Sequence, residues 1–276
     1  MATGVTYRRT IRELAAFLGC VPTEDAVHEH RLAADFDEYA AALLRATNTE
    51  ALYVDDGYPT GDAVEWRELG ELAGCESRPV LRLETRGERA AEEAASARER
   101  GYVALKTIAA YRGGLDCVSE HVVAALEANQ ATGEPLPVQV HCGFGDSDLE
   151  LWRADPTRLK PLLERFAKTP FVLLHCYPYV REAGWLAHVY GHVYFDLSLS
   201  IPHVTRPAEL VRQALELAPA TKLLYASDAA RAPELYYLAA KWWRESLADV
   251  LPELFKDDAA EAGRRILREN ALELYA

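Results

Sequence analysis

The stretch Pro135–Asp148, PLPVQVHCGFGDSD, decides how this chain is to be read. Its apolar run is too short for a helix, is rich in valine, and is closed by Pro137 on one side and Gly143 on the other, which marks a strand. In a strand, residues i and i+2 share a face. Val138, Val140 and Cys142 therefore lie on one face, and Gln139 and His141 on the other. An apolar set for covering helices and a polar pair turned inward is the pattern of a strand in a parallel barrel, with His141 near its exit.

Similar short runs recur along the chain as EALYVDDG, RPVLRLET, YVALKTIAA, FVLLHCY, HVYFDLSLS and KLLYASDAA. Most are continuously apolar, as expected of parallel strands covered on both faces. Between them lie stretches of helical periodicity: DAVEWRELGELAG, ERAAEEAASARERG, CVSEHVVAALEANQATG, PTRLKPLLERFAK, YVREAGWLAHVYG and RPAELVRQALELAP. With nominal strand ends at Gly57, Thr85, Ala110, Gly143, Cys176, Leu199 and Ala229, the units repeat every 23 to 33 residues. Eight βα units in about 250 residues need about 31 each. No GxGxxG turn follows any run, so a dinucleotide-binding sheet is disfavoured. The expected fold is α/β, a (β/α)8 barrel of the TIM type, incomplete because only seven strands are recognisable. Residues 1–50 offer only helices, 51–230 carry the βα repeats and 231–276 are C-terminal helices, all in one domain. The first βα unit is expected upstream of Met1.

Composition narrows the partners. Half of the 276 residues are apolar and the formal charge is −13, so a sizeable core is available and nucleic acid is excluded as a main ligand. The acidic residues sit on solvated helix faces rather than in a tail. Five cysteines without regular spacing argue against a disulfide framework and for a reducing compartment, the cytoplasm. No run approaches the ~18 apolar residues of a membrane span. A small-molecule substrate fits this profile, and a homo-oligomer is compatible with it.

In parallel barrels chemistry collects at the C-terminal strand ends. Asp55, Asp56, Lys106, His141, His175, Asp196 and Asp228 stand there. His175 and Cys176 are neighbours on one strand and point to opposite faces, which disfavours a Cys–His nucleophilic pair. Asp228 shares its expected face with Ala226 and Leu224, leaving room below the carboxylate. Two imidazoles and a carboxylate, His141, His175 and Asp228, can ligate a divalent ion such as zinc or manganese, with Asp228 placed to take a proton from activated water. Tyr111, Arg112, Asp55 and His203, at or beyond strand ends, are candidates for substrate contacts.

The stretches ALYVDDGYP, ALKTIAAYRGGL, PVQVHCGFGDSD, FVLLHCYPY, VYFDLSLSIPH, LLYASDA and RRILRENALELY resemble the amidohydrolase superfamily. The resemblance is to the branch holding carboxymuconate-semialdehyde decarboxylases and the N-terminal half of proteins fused to a glutamine synthetase-like domain. It implies a (β/α)8 barrel with His141 as a metal ligand on the fifth strand and His175 on the sixth as a second ligand or a substrate-polarising residue. It also implies Asp228 on the eighth as ligand and general base, and Lys106 on the fourth, carboxylated or binding a substrate carboxylate. The family places an HxH pair at the end of its first strand. Here the only HxH is His28–His30 in AVHEHR, in an acidic helical context where residues i and i+2 diverge, so these histidines are expected to face solvent.

The leading expectation is a zinc-type, metal-dependent hydrolase of a C–N bond in a small amide, using metal-activated water, with a γ-glutamyl amide suggested by the glutamine synthetase association. Non-oxidative decarboxylation at the same site is the rival enzyme reading. A catalytically incomplete barrel acting as a binding or assembly module is the third.

Overall fold

The helices begin and end where the sequence supplies caps. In the computed structural model, which describes residues 4–57 and 64–276, α1 (Val5–Leu18) stops at Gly19, whose φ of 70° suits a residue without Cβ. Thr23 Oγ1 accepts the Ala26 N–H at 3.3 Å to open α2 (Glu24–Ala33). The Asp35 carboxylate accepts the Asp37 and Glu38 N–H groups to open α3 (Phe36–Ala46). Tyr58 and Pro59 of the quoted ALYVDDGYP, and Asp62 and Ala63 of the helical DAVEWRELGELAG, lie outside the described residues.

All seven expected strands form, as β1 (Ala51–Asp55), β2 (Glu76–Arg82), β3 (Ala104–Thr107), β4 (Val138–Cys142), β5 (Phe171–His175), β6 (Val193–Asp196) and β7 (Leu223–Leu224). They pair in parallel, each with its neighbours in sequence. The crossovers carry α4 (Trp66–Ala73), α5 (Ala90–Ala95), α6 (Glu120–Ala131), α7 (Lys160–Arg165), α8 (Val180–Val189) and α9 (Pro207–Ala214). After β7 come α10 (Pro233–Phe255), α11 (Ala259–Arg264) and α12 (Asn270–Leu274). The sheet curls into an incomplete barrel: among the described residues β1 pairs only with β2 and β7 only with β6. In the helical layer α3 bridges the opening, packing on both α4 and α10.

Period two sorts the side chains between two cores. Leu81, Leu105, Val138, Val140, Phe171, Leu173, Phe195 and Leu223 face the helices, where Phe166, Trp242 and Trp243 are also fully buried. Each such aromatic contributes roughly 2–3 kcal/mol by leaving water. Val80, Ala104, Val172, Leu174 and Leu224 face the interior instead, with Tyr53 and Tyr194 packed against them. Tyr275, just beyond α12, joins this inner cluster. Its ring lies 4.9 Å from that of Tyr53, and its hydroxyl accepts the Gln139 amide at 3.0 Å. The C-terminal segment thus plugs the lower end of the barrel.

One expectation needs correction. The run KLLYASDAA does not continue as a strand to Asp228: pairing ends at Leu224, because the Tyr225 N–H bonds to Ile266 O at 2.9 Å and the Ala226 carbonyl accepts from Trp243 Nε1. Asp228 reaches the barrel mouth from a loop, with φ of 48°.

Candidate active site

Five strands end their inward face on a polar residue placed two positions after an interior one: Asp55 after Tyr53, Arg82 after Val80, Lys106 after Ala104, His141 after Gln139 and Asp196 after Tyr194. An apolar interior would satisfy packing at all five places, so the change to charged and imidazole groups concentrates chemistry at one end. His175, the last residue of β5, and Asp228 complete the ring.

Asp55, Arg82, Lys106 and Asp228 form a chain of alternating charge. Arg82 Nε lies 3.0 Å from Asp55 Oδ2, and Arg82 Nη2 makes a further short contact to the same oxygen. Lys106 Nζ is 3.0 Å from Asp55 Oδ2 and 3.8 Å from Asp228 Oδ1. Burial alone would raise the Asp55 carboxyl, but Lys106 and Arg82 outweigh it and hold it below the usual carboxylate range. Beside this chain, Asp56 is held by Arg86 at 2.9 Å and by the Tyr102 hydroxyl at 2.5 Å.

The two histidines meet edge to face, with ring centroids 4.6 Å apart. Burial pushes both imidazoles well below the ordinary histidine value, reinforced at His141 by His175 and Lys106 and at His175 by Lys106, so both are neutral at physiological pH. His175 Nε2 faces Asp228 Oδ2 at 3.7 Å. His141 Nε2 is buried and has no hydrogen-bond partner. Gly145 keeps the space next to it open, since a Cβ there would stand 3.0 Å from His141 Nε2 and 2.0 Å from the Tyr111 hydroxyl. Tyr111 covers His141 with its ring at 4.7 Å and accepts the Asp146 N–H at 3.0 Å.

Lys106, His141, His175, Asp228, Asp55 and Tyr111 are therefore gathered at one mouth. Arg112 and His203 are not brought to it. Arg112 turns onto the Tyr111 carbonyl at 3.1 Å, and exposed His203 packs on Phe144 beside a groove of about 410 Å³ lined by Tyr177 and Arg206. Arg82 and Ser198 escaped the sequence reading, although each stands two positions beyond an inward residue, Val80 and Asp196. Among the described residues no three His, Cys, Asp or Glu side chains are drawn together closely enough to hold a metal ion.

The amidohydrolase family model matches residues 79–276, taking in every one of these groups except Asp55 and Asp56. The chain belongs to the amidohydrolase family. The chain is 36% identical over 169 residues to protein fluG of Emericella nidulans, a match covering 58% of the chain and 20% of that protein. It thus spans about a fifth of the length of the curated relative it matches. Over 99% of its length it superposes on 85% of a Lactobacillus casei protein assigned as a metal-dependent hydrolase, with a TM-score of 0.83 and 26% identity. A uronate isomerase from Bacillus halodurans shares the fold alone, with a TM-score of 0.64 and 15% identity over 98% of this chain and 75% of its own.

Proposed function

We propose that the chain acts as a metal-dependent hydrolase of a C–N bond in a small amide, with His141, His175 and Asp228 as the residues that would hold a divalent ion, zinc or manganese, on drawing closer together than they stand here. The observation that carries the reading is the buried, unpartnered Nε2 of His141 beside a space that Gly145 keeps open. A buried imidazole nitrogen without a partner costs about 1–3 kcal/mol unless something else satisfies it. The donor set fits in kind, since neutral imidazoles and a carboxylate suit borderline divalent ions. When bound, such an ion lowers the pKa of a ligated water and polarises a carbonyl.

The remaining work falls to the protein. Burial keeps both imidazoles unprotonated and able to donate a lone pair. Asp228, about one-third exposed at the mouth, is placed to accept a proton from the attacking water and return it to the leaving nitrogen. Lys106 lies between Asp55 and Asp228 and orients both carboxylates. Tyr111 closes one wall over His141. The five free cysteines, and the absence among the described residues of any helix long and apolar enough to cross a membrane, fit a cytoplasmic enzyme with a small-molecule substrate.

The test is metal content by mass spectrometry together with product analysis. Close to stoichiometric divalent metal, lost in His141→Ala, with release of amine or ammonia, supports the reading. Carbon dioxide as the product would replace it with decarboxylation, and tight metal binding unchanged in His141→Ala would remove the site.

A further inference from the structure

His175 is held from behind by two side chains that the sequence did not assign. Asp196 Oδ1 accepts the backbone N–H of His175 at 2.7 Å and that of Ser198 at 3.0 Å. The Ser198 hydroxyl lies 2.6 Å from the same Asp196 oxygen and 2.6 Å from His175 Nδ1. Exposure of all three residues is 2% or less, so water does not compete for these bonds. His175 also carries a φ of 67°, rare for a residue with a Cβ. Its N–H, donating to Asp196 Oδ1, and its carbonyl, accepting from Ser200 Oγ at 2.8 Å, pin the backbone in that conformation.

The proton count then has one solution for an ionised Asp196. Its Oδ1 already receives two backbone N–H groups and can only accept. A hydroxyl has a single proton, which Ser198 spends on that carboxylate. Toward His175 the Ser198 oxygen must therefore accept, and Nδ1 must carry the hydrogen. We propose that Ser198 and Asp196 are positioning residues that lock His175 in the Nδ1–H tautomer, with the Nε2 lone pair presented at the barrel mouth.

The consequence lies on the other side of the ring. An Nε2 lone pair facing Asp228 Oδ2 at 3.7 Å sets two acceptors against each other, an arrangement that favours a cation at the mouth. Partners of this kind set tautomer and ring direction wherever an imidazole ligates a metal, and their loss costs 10–100-fold in affinity or activity. The role toward a metal rests on the function proposed above, whereas the tautomer does not.

The experiment reads the tautomer directly. The full chain, labelled with ¹⁵N-histidine and freed of metal with chelator, is examined at neutral pH by long-range ¹H–¹⁵N correlation, with His175 assigned by the signals missing from His175→Gln. Wild type is expected to show His175 as a single Nδ1–H tautomer. Ser198→Ala is expected to shift it to a mixture and to weaken Zn²⁺ binding, measured by competition with a chelating dye, about 10–100-fold; Ser198→Thr is expected to restore both. A wild-type His175 protonated at Nε2 overturns the proposal without any variant. So does a Ser198→Ala protein with native circular dichroism that keeps the single Nδ1–H form. If the tautomer responds as stated but the wild-type chain binds no Zn²⁺, the positioning stands and the metal reading falls.

Discussion

Gln139 and His141 are two residues apart on one strand and face the same interior, yet the barrel treats them in opposite ways. At the lower end, Gln139 donates to the Tyr275 hydroxyl, and Tyr275 is packed among Val80, Val172 and Leu224. At the mouth, His141 Nε2 is buried more deeply than the half-buried Gln139 and has no partner. A polar group whose needs are met inside the protein stabilises the fold, whereas one left in want keeps capacity for a ligand. One end of the barrel is built to be finished and the other to be used.

The largest expected effect separates the ends by stability. Tyr275→Ala should lower the unfolding free energy by about 3–5 kcal/mol, the usual cost of removing a buried aromatic. His141→Gln removes a ring nitrogen that already lacks a partner and should cost no more than about 1 kcal/mol while abolishing metal uptake. Urea denaturation with a metal-content assay checks both. Equal stability losses at the two ends would dissolve the distinction.

Acid should act chiefly on the mouth, with a smaller share from His192 at the entry to β6, which burial also holds below the ordinary histidine value. His141 and His175 take up protons in the unfolded chain below pH 6.5 but resist doing so when buried, so the unfolded state binds more protons and stability falls with falling pH. Each imidazole contributes up to about 1.4 kcal/mol per pH unit. Asp196 works against them: burial raises its folded value from 3.8 to about 6, so between those limits the folded state gains a proton as pH falls, offsetting one imidazole. The steepest loss is therefore expected from 6.5 to about 6, with a shallower one below. Denaturation midpoints in chelator from pH 7 to 5 test this, and His141→Gln should flatten the slope by one proton. An unchanged slope in that variant would show that His141 is not held neutral.

A smaller effect sharpens the lower end. Tyr275→Phe keeps the ring against Tyr53 but removes the acceptor for Gln139, and should cost about 1–2 kcal/mol. Gln139→Leu in the same background should recover part of it, because both polar partners are then gone. Failure of the double variant to recover would mean that Gln139 finds water at the barrel floor.

The two ends also differ in how far the sequence disclosed them. The mouth was legible where it obeys a local rule: strand ends carry polar residues in period two, so Lys106 and His141 could be placed from neighbours alone, and Arg82 and Ser198 obey the same rule, whereas His175 stands two positions after outward-facing Leu173 and reaches the mouth through a positive φ of 67°. The floor was not, because Gln139 and Tyr275 stand 136 positions apart and nothing in ENALELY marks its tyrosine as an interior plug. The early end of β7 has the same origin, since Tyr225 and Ala226 bond to the C-terminal segment and to α10 rather than to a strand. Charge chains were half legible: Asp55 and Lys106 were marked singly, but their closure on Asp228 depends on a loop conformation at positive φ.

The smallest expected effect concerns AVHEHR, where the spacing of two histidines imitates a metal pair. On α2, positions i and i+2 diverge by about 200°, and both His28 and His30 are exposed. The residues that tie this stretch to the molecule are their neighbours. Val27 is buried against Leu14 and Leu43, and Arg31 Nε lies 2.6 Å from Glu234 Oε1, which the Tyr39 hydroxyl also reaches at 3.1 Å. His28→Ala and His30→Ala should each change stability by less than about 0.5 kcal/mol and leave metal uptake untouched. Arg31→Ala should cost more, on the order of 1 kcal/mol, since it leaves a largely buried carboxylate with only the tyrosine. A loss of metal in either histidine variant would move a ligand out of the mouth, and with it the division between the two ends of the barrel.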